Sequence, residues 1–228
     1  MSPTLKEMEA ELYPQERWTN EEMSEQINKI HNINCLEFMR KVPDGYFDLV
    51  LTDPPYGLGD RLTNGGSKTD GIAMKKLYKG KEWDVLPSNE IFEEIFRISK
   101  NQIIWGGNYF DLPPTRGFIV WDKKQTMPNY SHVEYAWTSF DYPAHKYEHG
   151  TGFEKQHPTQ KPLKLIEFCI NYGNSFLKSK TIFDPFMGSG TTAVACESLG
   201  LEWCGCELEH DYVEIANKRL SKVQLSLF

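Results

Sequence analysis

Thr181-Ile182-Phe183-Asp184-Pro185-Phe186-Met187-Gly188-Ser189-Gly190-Thr191-Thr192 reads as a short apolar strand, a glycine turn and the first turn of a helix. The strand spans 181–183 and the helix 191–199. A second strand, 202–206, and a last helix, 210–222, complete the unit. Upstream, Phe47 to Thr52 is another buried strand, followed at once by Asp53-Pro54-Pro55-Tyr56-Gly57. Strands are also expected over 27–33, 102–105, 117–121 and 132–138, with the last two forming a hairpin. Helices are expected over 35–41, from Ser88 to Ile98 and from Pro162 to Tyr172. Strands alternating with helices imply an α/β fold with a mainly parallel sheet, helices on both faces and an antiparallel edge hairpin. In such sheets ligands gather just beyond the carboxyl ends of strands, which is where both quoted motifs stand.

The chain has 228 residues, enough for one α/β domain with its own core. Residues 1–26 show no convincing period and read as an N-terminal arm; 27–228 read as a single domain. No run of about 18 apolar residues exists, so no membrane partner is expected. Nor does the start follow a signal-peptide pattern. Five cysteines include a Cys204-x-Cys206 pair with no second pair, which fits buried thiols in a reducing cytoplasm and no metal site. A net charge of -7 argues against a general polyanion binder. The stretch 57–83 is the exception. It carries Arg61, Lys68, Lys75, Lys76, Lys79 and Lys81 against Asp60, Asp70 and Glu82, with six glycines and little periodicity. So long a loop inside a compact domain suits a functional role, here contact with phosphates. A solvated flap or an oligomer contact is the competing account of its charge.

The turn at Gly188-Ser189-Gly190 lets backbone approach a ligand before the helix opens. The lysine of a nucleoside-triphosphate loop is missing, and so is the third glycine of a dinucleotide fingerprint. Asp184 flanks the turn, and Glu207 follows Gly190 by seventeen residues at the end of the next strand. A strand-end acid can accept from ribose hydroxyls. Two acids around a glycine turn suit a ligand with both a ribose and an α-amino group, namely S-adenosylmethionine. The purely structural alternative is an ordinary strand–turn–helix. At the other motif, the Asp53 carboxylate and the Pro54 carbonyl can accept the two N–H bonds of an exocyclic amine, aiming its lone pair. Pro54 and Pro55 fix the acceptors, and Tyr56 offers a ring face for a base.

These residues resemble the permuted, β-group DNA amino-methyltransferases, which act on adenine N6 or cytosine N4. The resemblance spans about residues 27–222. It rests on the order of Asp53-Pro54-Pro55-Tyr56, then His157-Pro158-Thr159-Gln160-Lys161-Pro162, then Phe183 to Thr192. It implies a three-layer Rossmann-like fold with circularly permuted motif order. It also implies catalysis by Asp53, Pro54, Pro55 and Tyr56. Cofactor contacts are implied for Asn34, Cys35, Asp53, His157, Thr159, Lys161, Asp184, Pro185, Phe186, Gly188, Ser189, Gly190, Thr191, Glu207 and Leu208. The family's usual Asp before Cys-Leu is here Asn34, which can accept only through its amide oxygen. The partner is double-stranded DNA, read by the loops 57–83 and 139–156, with Arg61, Lys68, Lys75, Lys76 and Lys79 on phosphates. A homodimer and a bacterial or phage origin accompany the resemblance.

An aspartate in the catalytic motif implies adenine more often than cytosine, where a serine is more usual. Cytosine-N4 methylation remains open, as does a silent DNA-binding module of the same fold. Methylation of a protein glutamine uses a related motif, but with the cofactor motif first. Trp105, Trp121 and Trp137 read as core or pocket wall rather than base-stacking groups, and His132 as structural. Asp122 is a candidate for the substrate side of the cleft. Tyr142, His145, Tyr147 and His149 are loop candidates for DNA contact.

Overall fold

The computed structural model describes residues 16–57, 85–126, 128, 130–151 and 160–226. Within them one eight-stranded sheet runs β1-β8-β7-β2-β3-β5-β4-β6. The strands are β1 (Lys29–His31), β2 (Leu49–Thr52), β3 (Gln102–Trp105), β4 (Phe118–Asp122), β5 (Val133–Thr138), β6 (His145–Glu148), β7 (Thr181–Asp184) and β8 (Glu202–Cys206). Only β5 runs against the others: it pairs antiparallel with β3 and β4, while every other pairing is parallel. The expected hairpin is therefore present but lies one strand inside the edge. The edge itself is β6, in a stretch expected to be loop. β6 escaped the sequence pattern because it is short and mostly exposed, with no apolar alternation.

Alternation along the strands separates two cores. Leu49 and Leu51 of β2, Ile103 and Trp105 of β3, Ile182 of β7 and Trp203 of β8 point to one face. There they meet α4 (Leu163–Leu177), α5 (Thr191–Leu199) and α6 (His210–Ser226). Val50, Ile104, Phe183, Cys204 and Cys206 point to the other, covered by α1 (Asn20–Ser24), α2 (Cys35–Met39) and α3 (Asn89–Ile98). A strand apolar on both sides needs helices on both sides, as parallel sheets do. In α3 the spacing of Phe92, Ile95 and Ile98 turns one stripe inward, and all three are buried. All five cysteines are buried and free.

The described part of the N-terminal arm packs against the domain. Thr19 and Glu22 form a reciprocal cap on α1, Met23 is fully buried, and the Trp18 ring packs edge-on to Phe38 at 5.2 Å. A Trp18 N–H bond to the Lys41 carbonyl at 2.8 Å and an Arg17–Asp44 ion pair add to these, and none of the contacts has a periodic signature in sequence. No described helix is long and apolar enough to cross a membrane.

Gly190 has φ +80°, and a Cβ there would stand 2.7 Å from the Ala216 Cβ of α6. The close approach this glycine permits is thus between the turn and α6. Gly190→Val is expected to cost about 2–4 kcal/mol through left-handed strain and overpacking. A urea titration followed by circular dichroism reads this directly, and an unchanged midpoint would show that the turn and α6 can separate freely.

Candidate active site

Parallel strands bring their carboxyl ends to one edge of the sheet. β2 and β7 are neighbours there, so the two motifs, far apart in sequence, lie side by side. The Thr52 hydroxyl donates to Asp184 Oδ1 at 2.8 Å. The Phe186 N–H donates to the same oxygen at 3.1 Å, and the Thr192 hydroxyl to Oδ2 at 2.7 Å. Asp184 is buried, which pushes its carboxyl up to about 6 against the pull of these donors. Its oxygens brace β2, the turn and the start of α5 to one another.

Glu207 stands beyond β8. Its Oε2 accepts from the Gly188 N–H and its Oε1 from the Glu209 N–H, both at 2.8 Å. A carboxylate offers about four acceptor sites, so acceptor capacity remains. Burial raises its pKa despite these bonds. Leu208, next to it, leaves 64% of its surface exposed. Ser189 donates to Gln160 Oε1 at 3.2 Å, tying the segment before α4 to the turn. Arg219 of α6 donates to the Ser189 carbonyl at 2.5 Å and to the Thr191 hydroxyl at 3.1 Å. Sequence reading did not single out Arg219, because its role depends on how α6 docks. Asn34 caps α2, its Oδ1 accepting from the Leu36 N–H at 2.9 Å. Cys35 is buried beside it, and burial pushes its thiol up to about 11.

Asp53 follows β2. The Tyr56 hydroxyl donates to its Oδ1 at 2.5 Å, and the Lys161 ammonium lies 2.6 Å from its Oδ2. Lys161, only 6% exposed, is also 3.1 Å from Glu134 Oε2, and Lys123 lies 2.5 Å from Glu134 Oε1. Charges therefore alternate along Asp53, Lys161, Glu134 and Lys123. Glu134 reaches this edge because β5 runs backwards, so its start lies beside the ends of β3 and β4; Lys123 directly follows the end of β4. Burial would raise Glu134, but the two ammonium groups hold it down at about 2. Burial would lower Lys161, but the two carboxylates raise it. Asp53 is raised: burial and Glu134 outweigh Lys161. The ammonium also lies 5.1 Å from the centroid of the Trp105 ring.

Tyr56 owes its position to Gly106. That residue has φ +68°, and any Cβ there would overlap the ring. Tyr56 stacks on Tyr109 with centroids 4.8 Å apart and planes 18° apart. Pro54 is buried beneath the motif.

Several expected contributors stand elsewhere. Trp105, Trp121 and Trp137, by contrast, are core as the sequence implies. Asp122 is taken up by Lys146 of β6 at 3.0 Å and by the Lys124 N–H. The rings of Tyr142 and His145 contact Tyr172 of α4, and that of Tyr147 stacks on Phe168, so β6 faces a helix. His132 is exposed. Arg61, Lys68, Lys75, Lys76, Lys79, His157 and Thr159 lie outside the described residues. Among the described residues, no group of three or more His, Cys, Asp or Glu could hold a metal ion.

Residues 89–218 match a family described as DNA methylase, a match that covers more than half of the chain. The type II methyltransferase M2.DpnII of Streptococcus pneumoniae is 28% identical over 240 residues, covering 82% of this chain and 87% of that protein. Two solved structures share the fold. The M1.HpyAVI–SAM complex is 22% identical, covers 84% of this chain and 98% of its own, and superposes with a TM-score of 0.51. PvuII DNA methyltransferase, described as cytosine-N4-specific, is 16% identical, covers 86% and 89%, and reaches a TM-score of 0.57. With its two motifs joined at one sheet edge and this match across its C-terminal half, the chain belongs to the N6/N4 DNA methylase family.

Proposed function

We propose that this DNA methyltransferase moves a methyl group from S-adenosylmethionine to the N6 amino group of adenine in double-stranded DNA. The observation that carries the reading is the Asp53 carboxylate, set beside the Tyr56 ring at the end of β2 and adjacent to the turn after β7. An exocyclic amine is a poor nucleophile because its lone pair is delocalised into the ring. Asp53, with two acceptor sites beyond those facing Tyr56 and Lys161, takes one N–H. The Pro54 carbonyl takes the other. The nitrogen is drawn towards tetrahedral geometry, and holding it in line contributes several kcal/mol by proximity alone.

S-adenosylmethionine, when bound, supplies the electrophilic methyl. The residues at the turn fit it. Glu207 keeps acceptor sites for ribose hydroxyls, and exposed Leu208 can cover an apolar ring. Asn34 and Cys35 border the same edge, and Pro185, Phe186, Gly188, Ser189, Gly190 and Thr191 line the turn. Asp184 supports the site from beneath, since three donors already engage it. His157 and Thr159 belong with the methyl-donating end. Arg61, Lys68, Lys75, Lys76 and Lys79 supply the phosphate contacts that an acidic protein needs. Lys161 acts on Asp53, keeping it ionised inside a buried site.

The reading is tested by digesting methylated DNA to nucleosides for mass spectrometry. N6-methyladenine is expected with little or no N4-methylcytosine; cytosine product alone would overturn the substrate assignment. A second test uses pH. Asp53 must be ionised to accept an N–H, so the rate should fall as pH drops through its raised pKa. Glu134→Gln removes a charge that raises Asp53, so the acid limb should move to lower pH. Lys161→Gln removes the charge that lowers it, so the limb should move to higher pH. Identical acid limbs in both variants would separate Asp53 from the rate.

A further inference from the structure

Tyr56 is held on several sides. Its hydroxyl is bound to Asp53, its ring rests against the Cα of Gly106, and Phe110 meets it edge-on at 6.1 Å. The stacked face belongs to Tyr109. That residue is unlike the packing aromatics around it. Phe110 packs against Phe92 at 4.8 Å and joins the core, whereas Tyr109 leaves 44% of its surface in solvent. Its hydroxyl has no hydrogen-bond partner among the described residues. It ends a short 3-10 turn, Gly107–Tyr109, closed by one backbone bond from the Tyr109 N–H to the Gly106 carbonyl at 2.8 Å. Below it the turn is fixed: the Gly106 N–H donates to the Tyr135 carbonyl at 2.8 Å, and a Cβ on Gly107 would stand 2.5 Å from that of Trp137. An exposed ring thus sits at the end of a seated turn, over the π-face of a residue already bound to Asp53.

We infer that Tyr109 is a base-contacting residue, the second aromatic wall of the slot that receives the flipped base. The inference rests on the methyltransferase reading above. A base approaching Asp53 needs a flat apolar surface, and one face of the Tyr56 ring is covered by another ring of similar shape. The base takes that place and Tyr109 moves outward to close over it. Because its hydroxyl is unengaged and its ring half in water, the move breaks no hydrogen bond of the Tyr109 side chain. Every base has a π-face, so Tyr109 holds the base without choosing it; choice of the amine stays with Asp53 and Pro54.

The test uses Tyr109→Phe, Tyr109→Leu and Tyr109→Ala in the full chain. The substrate is a duplex bearing the site found by sequencing plasmid DNA that the wild type has methylated. Loss of base stacking is expected to lower kcat/KM for DNA about 10–100-fold in Tyr109→Leu and Tyr109→Ala. Tyr109→Phe, which keeps the π-face, should stay about tenfold or more above Tyr109→Leu. Cofactor affinity by calorimetry should not change, and the thermal midpoint should fall by only a few degrees, the loss of one half-exposed stacked pair. Equal kcat/KM in all three variants would overturn the proposal. So would a loss in Leu and Ala matched by lost cofactor affinity, or a loss that Tyr109→Phe shares in full, either of which would mark a structural role. A wild type that methylates no DNA would overturn the underlying reading, and with it this one, before any variant is compared.

Discussion

The hydrogen bond from Thr52 to Asp184 joins two strand ends 132 residues apart in the chain. Both side chains are buried. Removing a carboxylate from water is costly unless donors replace the water, and Asp184 has Thr52 on one side, Phe186 beneath and Thr192 at the start of α5. One acid therefore fixes the end of β2, the turn after β7 and the first turn of the next helix. Shift any of these and Asp53 no longer faces the turn that Glu207 supports. The catalytic and cofactor halves of the site share a single buried joint.

A second constraint is charge balance. Asp53 and Glu134 would repel each other across a poorly screened gap, and Lys161 stands between them with Lys123 outside. Electrostatic interactions are stronger where solvent is excluded, so the order of signs decides which groups stay ionised. Buried ion pairs give little net stability over apolar packing, but each member must meet its partner. Here the pairing places the start of β5 against the segment before α4, and so closes the wall opposite Tyr56.

The parts of the site that sequence made legible are those where chemistry is local. Asp53-Pro54-Pro55-Tyr56 and the turn from Asp184 to Thr192 each carry an acid, rigid or flexible backbone and a strand within a dozen residues. Their neighbourhood follows from the parallel sheet. The parts that were not legible depend on pairing. Glu134 looks like an ordinary surface charge until the reversed β5 brings it to the active edge, beside Lys123 at the end of β4. Lys161 reads as part of a cofactor motif, yet its ammonium lies on Asp53. Gly190 reads as a place for a ligand, yet its missing Cβ makes room for Ala216. β6 has no apolar alternation because one of its edges and most of its side chains meet solvent.

The central claim is that the Asp53 carboxylate acts on the amine and not, as the resemblance also implies, on the cofactor. Tritiated-methyl incorporation into DNA by Asp53→Ala, measured beside a calorimetric titration of the same protein with S-adenosylmethionine, separates the two. The account predicts that incorporation falls to background while cofactor affinity stays close to that of the wild type. Methyl incorporation at the wild-type rate in Asp53→Ala would contradict it.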